Sequence, residues 1–294
     1  MTVQAALTRR TLLFALFFFC TACVFSQNTR FSDEIRFARY LQDKDLFREA
    51  QFIMRTIDTS LLTSAQKDTL NYFSGWSAYG SKQLDTAVNK LLSVSPAYPL
   101  YTKSRFFAAY CLAYLSRQDA AQEIITGLAL TDSTELEMRQ FELAGMALLR
   151  RDYEAYNQYQ RSFTYASYVM EKEEKNMAAY HKGLRSYKAK SPFLAGIYSA
   201  VLPGAGKFYA GKKRQAIASF LPIVSLAAVT YEAYRKGGLR SARFIAFGSL
   251  FSVFYGGNIW GSVLSVTVKQ KEFYRAYDNK ILFDLHIPLR SLYN

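Results

Sequence analysis

Apolar positions between residues 31 and 165 fall at helical spacing, and the pattern then recurs as a block. Gly75 aligns with Ala109, Ala87 with Ala121, Leu91 with Ile125 and Val94 with Leu128, each pair 34 residues apart. The segments "GWSAYGSKQLDTAVNKLLSV" and "AAYCLAYLSRQDAAQEIITGL" are therefore two copies of one unit. A third copy is "AGMALLRRDYEAYNQYQRSF". An earlier one is "FARYLQDKDLFREAQFIMRTI", where Ala38, Phe47, Ala50, Met54 and Ile57 take the corresponding places. Each copy predicts a pair of amphipathic helices whose apolar face only stacked neighbours can bury. Residues 166–190 predict a closing helix and a basic linker, with Glu171-Lys172-Glu173-Glu174-Lys175 as a solvated face. Beyond Lys190 the alternation stops. Residues 191–206, 215–231 and 244–268 carry no charge. A membrane span needs about 20 mostly apolar residues, so the second and third stretches are expected to cross a bilayer. The first is short and broken by Pro203-Gly204, which predicts a re-entrant half-helix, an interfacial segment or a short span.

The 34-residue unit resembles the tetratricopeptide repeat, whose pattern sets small residues at its eighth and twentieth positions and closes with proline. Gly75, Ala87 and Pro99 fit these places. The family's Trp at the fourth position is absent, Asn71 standing there, and the last copy slips register by about one residue. The resemblance implies three to four degenerate units and a concave groove that holds a peptide or partner helix. Tyr72, Trp76, Tyr79, Tyr110 and Tyr114 lie on the first helices of two units, which in that family face the groove. Core packing is the plainer use of aromatics at helical spacing.

The expected class is all-α: a tetratricopeptide-like solenoid of helical hairpins, then a helical membrane domain of two spans with the short first stretch as a third. The expected organisation is a signal peptide over 1–26, repeats over 27–165, linker over 166–190, membrane domain over 191–268 and a basic, amphipathic tail over 269–294. The signal rests on Arg9-Arg10, an uncharged apolar run over 11–26, and Val24 and Ser26 before Gln27. An uncleaved anchor helix and a lipidated Cys23 are the alternatives. All three put the repeats outside the cytoplasm, so the expected location is a bacterial inner membrane with the repeats facing the periplasm.

Charge adds a partner class. From Asn176 onward there are 17 Lys and Arg against 4 Asp and Glu, a net +13 of the chain's +14. Such asymmetry points to a polyanion. Because the cations flank apolar runs, anionic membrane lipids are expected and nucleic acid is not.

The stretch "LPGAGKFYAGKKR" at 202–214 contains a Gly-Lys pair, yet Phe208 follows Lys207 where a phosphate loop needs Ser or Thr, and Val stands at 201 where its first Gly belongs. "PGAGKFYAGKKRQA", with its flanking apolar runs, resembles the small bacterial two-transmembrane-helix domain, through Gly204, Gly206, Phe208, Tyr209 and Gly211. It is also similar to an envelope domain that pairs such a motif with a later "GNxYG", here Gly257-Asn258-Ile259-Trp260-Gly261. Neither family implies an agreed activity. In that setting Pro203 and Gly204 break a helix at the interface, Phe208 and Tyr209 anchor there, and Lys207, Lys212, Lys213 and Arg214 meet headgroups. Gly257, Gly261 and Ser265 form a small-residue stripe for close helix packing, against another membrane protein or a second copy, and Asn258 is a hydrogen-bonding glue between helices. Cations flank every apolar run, so charge leaves two or three spans, and the side of the tail, open.

Catalytic parts are few. The chain has two histidines, His181 and His286, and Cys111 is the one cysteine beyond the leader, so no enzyme activity, cofactor or metal is expected. Carboxylates are absent from the apolar runs, which argues against a proton-coupled pump. The expected function is a membrane-anchored protein–protein interaction scaffold of the bacterial envelope, in protein assembly or secretion. The alternative is a small channel or lipid-handling protein with an accessory repeat domain.

Overall fold

The computed structural model describes residues 30–293; the signal segment with Cys20 and Cys23 lies outside the described residues. Every regular element among them is helical. The chain divides into two compact units, one of residues up to Met177 together with 282–293, the other Ala178–Ile281.

The first unit holds four helix pairs: α1 (30–43) with α2 (Phe47–Arg55), α3 (Ser64–Gly80) with α4 (Leu84–Leu92), α5 (Tyr101–Tyr114) with α6 (Gln118–Thr126), and α7 (Ser133–Arg150) with α8 (Tyr153–Gln160). Helix starts have local causes. Thr63 and Gln66 form a reciprocal capping box on α3, and Asp132 and Asp152 accept backbone N–H groups at the starts of α7 and α8.

One turn joins both helices in all four pairs. A residue of positive φ follows the first helix: Asp45, Lys82, Ser116 and Arg151, at 58°, 61°, 62° and 64°. The next amide then donates to a carbonyl five residues back: Leu46 to Leu41 at 2.9 Å, Gln83 to Ala78 at 2.8 Å, Arg117 to Leu112 at 2.8 Å and Asp152 to Ala147 at 2.9 Å. This is a Schellman closure made without glycine.

Polar contacts repeat as well. Arg105 donates to the Leu92 and Val94 carbonyls, and Arg139, 34 residues on, donates to Leu128 O. These arginines satisfy carbonyls left over at the ends of α4 and α6. Small residues fill the crossings: Ala78, Ala87, Ala108, Ala109, Ala121, Ala144 and Ala147 are fully buried. A Cβ on Gly75 would lie 2.8 Å from Leu91 Cγ and 3.1 Å from its backbone N, so α3 and α4 cross where only glycine fits.

The second unit contains α10 (Pro192–Val201), α11 (Ala205–Tyr209), α12 (Lys213–Gly237) and the first part of α13 (Ala242–Tyr293); α9 (Glu171–Ser186) and α13 contribute residues to each unit. Ser191 caps α10, with Pro192 in the first turn. Among the described residues one helix, α12, is long and apolar enough to cross a membrane. At 25 residues it is about 37 Å long, and it keeps Pro222 inside the helix.

Of the two expected spans, α12 meets this measure of length and composition. The 244–268 stretch is helical, but Gly256, Gly257, Asn258 and Gly261 and several serines dilute its hydropathy. The same helix then continues unbroken through the charged residues from 269 on. The first stretch is short: α10 has ten residues, and the chain turns at Leu202–Gly204 into α11.

Candidate functional site

Two clusters bring the sequence's candidate residues together, one in each unit. The first is an aromatic face on α3 and α5. Tyr72 and Tyr110 are buried, Trp76 and Tyr79 are partly buried, and Tyr114 is exposed. Phe107, which the sequence reading did not single out, stands edge-on to both Trp76 and Tyr79, at 4.9 and 5.3 Å between centroids.

This face is occupied by residues 282–293 of the same chain. His286 stacks on Tyr110 at 5.0 Å, and its Nε2 hydrogen-bonds to the Tyr79 hydroxyl. Leu285, fully buried, sits against Gly145 of α7, where any Cβ would collide with it. Lys103 Nζ lies 4.6 Å from the Trp76 ring and donates to Tyr293 O at 2.7 Å, while the Tyr293 hydroxyl donates to Glu135 Oε1 at 3.0 Å. Of the residues expected in a partner groove, Tyr79 and Tyr110 thus meet the chain's own C-terminal segment, and Trp76 lies beside Lys103, which binds Tyr293.

Burial sets the charge states. It holds the His286 imidazole below its ordinary value, with Arg290 adding to the effect, and it lowers the Lys103 ammonium. The Cys111 thiol is pushed up to about 12, so this sulfur is no nucleophile. Glu142 on α7 is fully buried, neither carboxylate oxygen has a hydrogen-bond partner, and desolvation pushes its pKa well above the carboxylate range. It lies one turn before Gly145, on the face that the C-terminal helix covers.

The second cluster surrounds the motif at 203–211. Pro203 lies in the turn between α10 and α11. Gly204 has φ +84°, and a Cβ there would stand 2.5 Å from Ala216 O. A Cβ on Gly206 would collide with the Ala195 carbonyl; without one, Gly206 N–H donates to Ser199 Oγ at 2.9 Å. Ser199 Oγ donates to Ser262 Oγ at 2.7 Å, and Ser262 Oγ is also 2.8 Å from Asn258 O. Asn258, 5% exposed, extends Nδ2 to within 3.5 Å of Ser199 O, and its Oδ1 has no partner. Lys207 Nζ donates to Ser219 Oγ at 2.5 Å and lies over Gly261. Phe208 is exposed, whereas Tyr209 packs edge-on to Tyr198 at 5.2 Å and accepts from Ser191 N at 3.3 Å.

Three of the four residues of the expected packing set have contacts here. Asn258 and Gly261 face α10 and Lys207, and Ser265 donates to Gly261 O of its own helix. Gly257 faces nothing within 4 Å. Between α10 and α13 the small residues in contact are Gly196, where a Cβ would lie 3.1 Å from Val263 Cγ2, and Ser199, which bonds to Ser262. Sequence reasoning missed Ser199 and Ser262; two serines inside uncharged runs were the available signal.

Among the described residues no group of three or more His, Cys, Asp or Glu could hold a metal. Comparison of the chain with protein-family models, curated proteins and solved structures found no match.

Proposed function

We propose that this protein is a membrane-anchored helical scaffold of the bacterial envelope, without enzymatic activity, whose second unit is embedded in the lipid bilayer. The observation that carries the reading is the surface of that unit. Phe193, Val201, Val253 and Trp260 are 74, 81, 71 and 67% exposed, and Ile217, Leu221, Ile245 and Leu264 join them. Apolar surface of this extent on α10, α12 and α13 suits acyl chains rather than water. The spans in this reading are α12 and residues 244–268, with α10 and α11 as a re-entrant hairpin. Packing of 282–293 with α3, α5 and α7 supports an even number of crossings, because one packed unit cannot straddle a bilayer.

The first unit, in this reading, is a tetratricopeptide-like solenoid facing the periplasm after signal-directed export, and it docks a partner protein. The recurring turn and the repeated Arg105 and Arg139 contacts support the repeat assignment. With the inner aromatic face filled by the chain's own helix, the exposed Phe37, Tyr40, Phe52 and Leu61 near the N-terminal pair are the open apolar side chains for that partner. Anionic lipids are the second partner.

Topology reporters test the reading. A phosphatase fused after Lys236 should be inactive and one fused after residue 293 active, with the chain resisting carbonate extraction. Opposite activities would overturn the orientation; release by carbonate would overturn the membrane anchor.

A further inference from the structure

Resting on the membrane reading above, we propose that the turn Tyr209–Gly211 carries a binding site for the phosphate of an anionic glycerophospholipid, gripped by the ammonium groups of Lys190 and Lys269. Lys190 Nζ donates to Tyr209 O at 2.5 Å and lies 4.9 Å from the centroid of the Tyr209 ring. Lys269 Nζ donates to the next carbonyl, Ala210 O, at 3.0 Å. Two ammonium groups from distant parts of the sequence therefore rest on consecutive carbonyls at the end of α11, which the short helix leaves unpaired.

Each ammonium uses one of three donors in this way and keeps two. Among the described residues no carboxylate pairs with either, whereas Lys236, also in this unit, is neutralised by Glu232. Two like charges held on one turn with no counter-ion favour an anion between them. The backbone is shaped for the approach. Gly211 has φ +82°, and a Cβ there would lie 2.7 Å from Lys269 Nζ. Gln270 Nε2 donates to Lys190 O at 2.6 Å and fixes the position of that segment.

The surroundings select a lipid over a free anion. Phe193 lies three residues beyond Lys190 and Phe208 one residue before Tyr209, and both are exposed. A phosphodiester on the lysines leaves its acyl chains along these rings and the apolar flank of α12. The lysines thus act as a headgroup clamp at one end of the embedded helices, and the chain carries a bound lipid there rather than only a diffuse preference for negative membranes.

The full-length chain is reconstituted in vesicles of mixed phosphatidylglycerol and phosphatidylcholine and extracted in mild detergent, and the retained lipid is read by native mass spectrometry. The wild type should retain phosphatidylglycerol in preference. Loss of one surface-level lysine contact is worth about 5-fold, so Lys190→Gln with Lys269→Gln should lower the preference by about 25-fold. The Lys190→Arg and Lys269→Arg pair should keep it, as should Arg240→Gln with Arg243→Gln at the other end of α12. Unchanged retention in the double glutamine variant overturns the site; should that variant fail to insert, unchanged retention in both single variants overturns it. Displacement of the lipid by millimolar inorganic phosphate alone makes it a free-anion site and overturns the lipid assignment. A wild-type chain that carbonate strips from the vesicles refutes the membrane reading, a result distinct from an integrated chain without lipid preference, which refutes the site alone.

Discussion

Replacing Glu142 by glutamine isolates the energetic consequence of a carboxyl group fully buried on α7. Glu142 is fully buried, neither oxygen is hydrogen-bonded, and desolvation raises its pKa well above the ordinary 4.5. A raised folded pKa means that the group contributes most to stability below the unfolded value, and that stability falls as pH climbs from there toward the folded value. Each pH unit in that window costs about 1.4 kcal/mol. That cost accumulates from 4.5 upward until the folded value is reached. Glutamine has nearly the same shape and the same unmet hydrogen bonds, so its own burial cost resembles that of the neutral acid. The variant should therefore match the wild type near pH 4 and exceed it at pH 7.4, the gap opening by about 1.4 kcal/mol per pH unit within that window.

His286 opposes this trend, because its lowered pKa removes stability as pH falls through the ordinary histidine range. Tyr79 and Cys111, which also face the cluster, stay protonated across the range, burial having raised both. Arg290 stays charged in both proteins. The difference between variant and wild type cancels these contributions and leaves Glu142. Chemical unfolding of the full chain in detergent, followed by tryptophan fluorescence from pH 4 to 8, gives the two curves. Parallel curves would refute the reasoning, since a partnered or solvated carboxylate would leave no pH-dependent gap.

Two further outcomes follow from packing and backbone geometry. Leu285→Ala should destabilise the first unit by about 3–4 kcal/mol, through lost burial and the gap left against Gly145; limited proteolysis should then cut near residue 282 first, and a variant as resistant as the wild type would contradict the docked helix. Ser116→Gly relieves a left-handed residue at φ 62°, a strain of about 1–2 kcal/mol offset in part by the flexibility of glycine, so a net gain of about 0.5 kcal/mol in unfolding free energy is expected and a loss would count against the turn.

Local pattern made part of this legible. The 34-residue offset located the helix pairs because each repeats one local solution, and its small residues mark real crossings at Gly75, Ala87 and Ala121. The turns were not legible, since Lys82, Ser116 and Arg151 adopt a conformation usually announced by glycine. Gly204, Gly206 and Gly211 stood out by composition, and close approaches to Ala216 O, Ala195 O and Lys269 give them their reasons. Long-range packing was hidden. Nothing near Leu285 or His286 says that they meet Gly145 and Tyr110, and nothing near Glu142 says that it is covered. By sequence alone the aromatic residues of α3 and α5 suit a groove or a core for that reason: their occupant lies some 200 residues downstream, His286 pairing with Tyr79 across 207 positions.

That occupant imposes an order of assembly. The four helix pairs leave the ribosome before residues 178–281 and so before the segment that completes them. At about 5–20 residues per second the wait is roughly 5–20 s, during which Tyr79, Tyr110 and the Gly145 face stay uncovered. In the membrane reading proposed above, the last helix reaches them only if the intervening apolar segments return it to the same side of the bilayer. Completion of the first unit thus reports on successful handling of the second, and a chain misassembled there presents an open aromatic surface to chaperones and proteases.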